Sequence, residues 1–264
     1  MCRWVAYAGT EIYLEDILFH QEHSIVKQSL AANESAWVTN GDGFGVAWYN
    51  DKKTPGLFKD ILPAWNDSNL RSLAAHIKTQ LFFAHVRATT GTSVSRNNCH
   101  PFVWENWTFM HNGQIGNWSK CRKDVESLID HVHYPHRDGT TDSEAIFLVA
   151  LSKGLTSDPI KSMTQTLKDI SQIMANHQST EPLRVSCALT NGQDIWAFRC
   201  STDNHSPSMY YGSPHTRTHD DGDNKINTIA SEPSDSEASH WFKVEERQGV
   251  HWTKNSLQRF SIAL

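Results

Sequence analysis

Cysteine stands second in the chain, between the initiating methionine and Arg3. Methionine aminopeptidase removes an initiator methionine when the next side chain is small, and cysteine qualifies. Removal leaves a thiol and a free α-amine on one residue. A thiol is a strong nucleophile only when ionised. An α-amine, with an ordinary pKa of about 7.7–8.0, is partly neutral and basic near neutral pH. Cys2 then supplies both a nucleophile and the base that activates it. The competing reading is a small residue that opens a buried strand.

Four further segments make sense as parts of a site for a small amino-acid amide. His85-Val86-Arg87-Ala88-Thr89-Thr90-Gly91 lies where an apolar run gives way to a polar turn. The planar fork of Arg87 suits a carboxylate. A surface arginine with a snorkelling stem is the alternative, and His85 reads as a satisfied, partly buried histidine. His111-Asn112-Gly113 offers an amide NH₂ and a backbone N–H side by side. Both suit the oxyanion that forms when an amide carbonyl is attacked. The same dipeptide also reads as an ordinary turn. In Thr140-Thr141-Asp142-Ser143-Glu144, Asp142 suits a substrate ammonium, or else is a first-turn acid favoured by the helix dipole. Glu144 is explained by a capping box with Thr141.

Asn40-Gly41-Asp42-Gly43-Phe44-Gly45 is glycine-rich but lacks the Gly-Lys-Ser/Thr of a phosphate loop. It reads as a tight turn with close backbone packing. His131, His133 and His136 match no strong zinc spacing and lack a cysteine pair, so no metal is expected.

The elements that must position these residues read as mixed α and β. Strands are expected over Cys2–Ala8, Gly43–Tyr49, Leu81–Val86 and Trp107–Met110, the last ending at a turn on Asn112-Gly113. Helical spacing covers Tyr13–Leu30, Asn69–Lys78, Trp118–His131, Asp142–Lys153 and Ile160–Ala175, the last entered through Asp158-Pro159. Leu183–Thr190 and Ile195–Arg199 flank Asn191-Gly192 as a hairpin. Residues 201–224 read as an exposed loop. Ile226–Ser231 and two short strands follow. This order points to packed layers rather than alternating βαβ units.

The 264 residues suit one large domain or two small ones. Ten Trp and eleven Phe suffice for a sizeable core. A net charge of −5 supplies no basic stripe, so nucleic acid is not an expected partner. No apolar run reaches the roughly 18 residues a membrane span needs, and no signal peptide is visible. Five scattered cysteines fit a reducing cytoplasm.

Taken in order, the segments resemble the class II glutamine amidotransferases, nearest the stand-alone YafJ-like and EgtC-like branch. The matching stretches are Met1-Cys2-Arg3 with Ala6-Tyr7, Asp42-Gly43-Phe44-Gly45, Pro63-Ala64-Trp65 with Asn69-Leu70, and His85 through Thr90. Asn98-Cys99-His100-Pro101-Phe102, Phe109 through Gly113, Thr141 through Glu144, and Ser231-Glu232-Pro233 complete the set.

The resemblance implies an α+β, four-layer αββα N-terminal nucleophile hydrolase sandwich of two antiparallel sheets. It implies one amidotransferase domain over 1–264. It makes Cys2 the nucleophile, and Asn112 and the Gly113 amide the oxyanion hole. Arg87 takes the substrate α-carboxylate with Thr90 alongside, and Asp142 takes the α-ammonium. No cofactor is implied.

The expected reaction is attack of Cys2 on the γ-amide of glutamine or a γ-glutamyl compound, releasing glutamate through a γ-glutamyl thioester. Two other readings stay open: a glutaminase subunit delivering ammonia to a separate protein partner, and an inactive binding or regulatory protein. Self-association into a homo-oligomer is compatible with either.

Overall fold

The computed structural model describes residues 2–30, 39–89, 93–214, 227–254 and 256–264. The strands are β1 (Arg3–Tyr13), β2 (Phe44–Tyr49), β3 (Gly56–Asp60), β4 (Lys78–Val86), β5 (Phe102–Trp104), β6 (Trp107–Gln114), β7 (Arg184–Thr190) and β8 (Ile195–Ser201), then β9 (Tyr210–Gly212), β10 (Thr228–Ala230), β11 (Trp241–Lys243), β12 (Gln248–Thr253) and β13 (Ser256–Ser261). The helices are α1 (Leu14–Leu18), α2 (Ile25–Leu30), α3 (Ser68–His76), α4 (Trp118–Glu126), α5 (Asp142–Ser152) and α6 (Pro159–Asn176). One sheet runs β11-β9-β10-β1-β4-β2-β3 and the other β13-β12-β8-β7-β6-β5, all pairs antiparallel.

Strand alternation sorts the core into three. Trp4, Ala6 and Ala8 of β1 face the second sheet, where Met110, Ala188 and Ala197 meet them. Val5 and Tyr7 face the other way, onto Leu14, Ile17 and Leu18 of α1 and Ala74 of α3. Phe109 and Phe147 stack at 5.3 Å in the third cluster, where α4, α5 and α6 cover the second sheet. The result is the expected αββα sandwich, with an apolar layer under each sheet face.

The two sheets are also fastened by polar contacts. The buried Trp4 indole donates to the Ser186 carbonyl of β7 at 3.2 Å. The Tyr49 hydroxyl meets Thr108 Oγ1 at 2.6 Å and donates to the Asn106 carbonyl at 2.9 Å.

Several elements differ from the sequence reading. Asn112-Gly113 is not a turn: β6 runs through it, with Asn112 opposite Ser186 and Gly113 opposite Val185. Pairing with β7 overrides the local turn preference. The helix expected over Tyr13–Leu30 is split, because β1 extends to Tyr13 and the chain turns between α1 and α2. Apolar residues on both sides of that turn mimic one helical stripe.

α4 stops at Glu126, short of His131. Asp130 Oδ1 accepts from the Val132 and His133 amides and bends the chain there. The stretch read as an exposed loop from 201 holds buried Met209 and, on β9, buried Tyr211; its residues 215–224 lie outside the described residues. The edge strands β3 and β5 were not expected, and the C-terminal region supplies β11, β12 and β13 rather than two strands.

Trp4→Phe removes the indole donor while keeping an aromatic ring. Loss of a buried hydrogen bond costs about 1–3 kcal/mol. The urea midpoint is expected to fall accordingly with an unchanged m-value. An unchanged midpoint would show that the indole bond adds nothing.

Candidate active site

Cys2 sits immediately before β1, on the strand side that carries Trp4. Its half-buried thiol donates to the Ala88 carbonyl at 3.6 Å. Burial pushes this thiol above its ordinary pKa, opposed by the Ala88 contact and by the Arg87 and Arg3 charges. β4 leaves the sheet at Val86, so Arg87 and Ala88 come to lie beside the start of β1.

The glycine-rich stretch serves this junction. The Arg87 amide donates to the Gly43 carbonyl at 2.8 Å, and the Asp42 amide to the Arg87 carbonyl at 3.0 Å. Asp42 Oδ2 accepts from the Thr89 amide at 2.8 Å. Gly43 has φ +112°, and a Cβ there would lie 2.6 Å from Cys99 Sγ. Only glycine meets both demands. The buried Arg87 guanidinium donates to the Asp42 carbonyl, Thr89 Oγ1 and the Ser93 carbonyl, each at 3.3 Å. Thr90 lies outside the described residues.

The opposing wall comes from β6 and the start of α5. Asn112 is 2% exposed, and its Nδ2 is buried with no hydrogen-bond partner. A buried amide donor without a partner costs about 1–3 kcal/mol. A Cβ on Gly113 would collide with the Arg184 carbonyl. Asp142 opens α5, which Thr141 caps by accepting from the Glu144 amide at 3.2 Å. Asp142 Oδ2 accepts from the Ile115 amide at 2.7 Å, and Oδ1 from the Ser143 amide at 2.8 Å.

The capping box is only half formed. The Glu144 carboxylate turns instead to Arg137 and to the Asp138 and Gly139 amides, because a buried guanidinium attracts it more strongly than the Thr141 amide.

Cys2, Arg87, Gly113 and Asp142 line one cavity of about 560 Å³, together with His100, His111 and Trp118. Arg87 and Asp142 thus offer opposite charges within one space. Asn98, which sequence reasoning left without a role, ties the two walls together. Its Nδ2 donates to the Ser93 carbonyl at 2.9 Å and to Thr140 Oγ1 at 3.1 Å, and its Oδ1 accepts from the Thr140 amide at 2.8 Å.

Three buried histidines back the site. His85 Nε2 donates to the His111 carbonyl at 3.2 Å, and its ring stacks on His100 at 4.1 Å. Burial holds His85 down to about 3, opposed by the His111 carbonyl. Burial also pushes His100 and His111 down, with Asp142 opposing at His111. His111 Nε2 faces the Arg184 carbonyl at 3.4 Å and so carries the proton, leaving Nδ1 to accept from the Ser143 hydroxyl at 2.8 Å. His133 lies elsewhere, bonded to Asp130 at 2.8 Å. Among the described residues, no group of three or more His, Cys, Asp and Glu side chains is arranged to hold a metal ion.

The family described as "Glutamine amidotransferases class-II" matches residues 19–241. The chain belongs to the class II glutamine amidotransferases. As a class II glutamine amidotransferase it is an amide hydrolase of the N-terminal nucleophile type. "Probable glutamine amidotransferase DUG3" of Saccharomyces cerevisiae is 33% identical over 92% of this chain and 79% of its own length. The "Gamma-glutamyl-hercynylcysteine sulfoxide hydrolase" of Mycolicibacterium smegmatis is 26% identical over 59% of this chain and 64% of its own length. A solved glutamine aminotransferase class-II domain protein from Silicibacter pomeroyi superposes with a TM-score of 0.76 at 34% identity, covering all of both chains. No helix among the described residues of this amidotransferase is long and apolar enough to cross a membrane.

Because the folded pKa of His85 lies below the ordinary 6.5, the unfolded chain binds its proton first as pH falls. The stabilisation is whole above about pH 6.5 and is lost progressively toward pH 3. His85→Gln should therefore show a shallower fall of unfolding free energy between those pH values than the wild type. Parallel profiles would contradict a buried neutral His85.

Proposed function

We propose that this amidotransferase hydrolyses γ-glutamyl amides, with Cys2 as nucleophile once Met1 is removed. The observation that carries the reading is the Cys2 thiol in one cavity with two opposite charges, Arg87 and Asp142. The Arg87 fork receives the α-carboxylate, with Thr90 alongside, and Asp142 receives the α-ammonium. The γ-carbonyl then lies at the thiol. The Cys2 amine, through a water, takes the thiol proton, and the thiolate attacks. Asn112 Nδ2 and the Gly113 amide hold the oxyanion, which gives the unpartnered donor of Asn112 its partner. The amine protonates the departing nitrogen. Water then hydrolyses the γ-glutamyl thioester to glutamate, within a single domain over 1–264.

The departing group we propose is an amine larger than ammonia. A cavity of about 560 Å³ has room beyond a glutamyl group, and the M. smegmatis relative is named as a hydrolase of gamma-glutamyl-hercynylcysteine sulfoxide. Glutamine remains the second reading, because the S. cerevisiae relative is named as a glutamine amidotransferase; that reading calls for a separate protein to accept the ammonia.

Cys2→Ala should abolish glutamate release without lowering the melting temperature. Residual activity above about a tenth of wild type, 1.4 kcal/mol of barrier, would remove Cys2 from the role. Asn112→Ala should lower kcat about 10²–10³-fold. Arg87→Ala and Asp142→Ala should each lower kcat/KM about 10–100-fold, the range of one charge-assisted bond; an unchanged value would clear that residue of substrate contact. A panel of γ-glutamyl peptides and amines against glutamine settles the leaving group. Preference for glutamine by about tenfold or more, 1.4 kcal/mol in the barrier, favours the ammonia-delivering reading.

A further inference from the structure

Arg3 and Glu232 form an ion pair in which both side chains are almost fully buried, at 1% and 3% exposure. The pairing of Val5 with Ala230 and of the Ser231 amide with the Trp4 carbonyl puts Glu232 directly across from Arg3. Ser231 Oγ also accepts from the Trp4 amide at 3.0 Å, so the segment carrying Glu232 is itself fastened to β1. The other arm of the guanidinium points back along the chain. Arg3 Nη1 donates to the Cys2 carbonyl at 2.9 Å.

As a source of stability this pair is poor. Two buried charges lose their hydration, and well-packed apolar replacements are often neutral or stabilising. What the pair does hold is the carbonyl of the reacting residue itself. Rotation about the Cα–C bond of Cys2 swings its thiol and its amine together, and a hydrogen bond on the carbonyl stops that rotation.

We propose that Arg3 and Glu232 are a positioning pair that locks the backbone of Cys2 and balances the charge beside its amine. The proposal rests on Cys2 being the nucleophile. Glu232 offsets the positive charge of Arg3. Arg87 stands on the β4 side of Cys2, and Asp142, His100 and His111 line the same cavity. Cys99 and His85 lie beside them, both held neutral by burial. Arg87, Arg3, Asp142 and Glu181 are the charged side chains around Cys2 and its cavity, and Glu232 meets Arg3.

The test compares Glu232→Gln, Arg3→Lys and the double variant Arg3→Met, Glu232→Met, with kcat expressed per titrated Cys2 thiol and the melting temperature recorded. The double variant leaves no charge at these two positions and is expected to stay folded. Its kcat should fall about tenfold or more through lost orientation, with KM little changed. Because it removes one charge of each sign, the acidic limb of its kcat/KM profile should stay in place.

Glu232→Gln leaves Arg3 unbalanced, and its acidic limb should move to lower pH by about half a unit or more, as one nearby charge would do. Arg3→Lys keeps the charge and should recover part of the kcat lost in the double variant. A wild-type kcat in the folded double variant overturns the positioning role. A limb in Glu232→Gln that stays put or moves up overturns the charge balance, and if that variant does not fold the double variant decides. Cys2→Ala run alongside separates the two failures. Activity in Cys2→Ala defeats the nucleophile itself, whereas an inert Cys2→Ala with an unaffected double variant defeats this inference alone.

Discussion

One constraint governs the site: in the proposed mechanism nucleophile and base belong to the same residue, Cys2, which precedes β1 rather than sitting within it. A chain end ordinarily frays. The start of β1 is therefore held from three directions. β4 pairs with it through Arg3 opposite Val86, the segment after β10 pairs through Ser231, and the Trp4 indole reaches across to Ser186 in the second sheet. Ser186 stands opposite Asn112. The bond that spaces the two sheets is thus one residue pair away from the proposed oxyanion donor, so sheet packing and catalytic geometry share the same contact.

Burial is the second theme. It raises the Cys2 thiol and drives down His85, His100 and His111, leaving neutral rings packed behind a charged cavity. Neutral histidines add no positive charge to compete with Arg87 for a carboxylate. They also fill space that water would otherwise occupy, which strengthens each remaining electrostatic contact. The Asn98 bridge then ties the Arg87 wall to the Asp142 wall, as the proposed recognition of a group with one charge of each sign requires.

Much of this was legible in the sequence, and the exceptions have physical causes. β1, β2, β4 and the β7–β8 hairpin announced themselves through apolar runs and an Asn-Gly turn. The second Asn-Gly, at 112–113, carried the same local signal yet lies inside β6, because pairing with β7 is a long-range interaction that no local window contains. β9 was hidden in a polar stretch whose few apolar residues, Met209 and Tyr211, are the buried ones. Cys2, Arg87, Gly113 and Asp142 were drawn from separate segments and come together in one cavity. The Arg3–Glu232 pair could not be read beforehand. The two residues are far apart in the chain, and only the register of β1 with β10 makes them neighbours.

In the proposed mechanism a cysteine with a free amine forms the acyl intermediate. The direct measurement is acid quenching of the enzyme during turnover of a γ-glutamyl amide, followed by mass analysis of its N-terminal peptide. The expected peptide begins at Cys2, lacks Met1 and carries one γ-glutamyl group on the thiol. Full turnover by protein that retains Met1, or an adduct on any other residue, would contradict it.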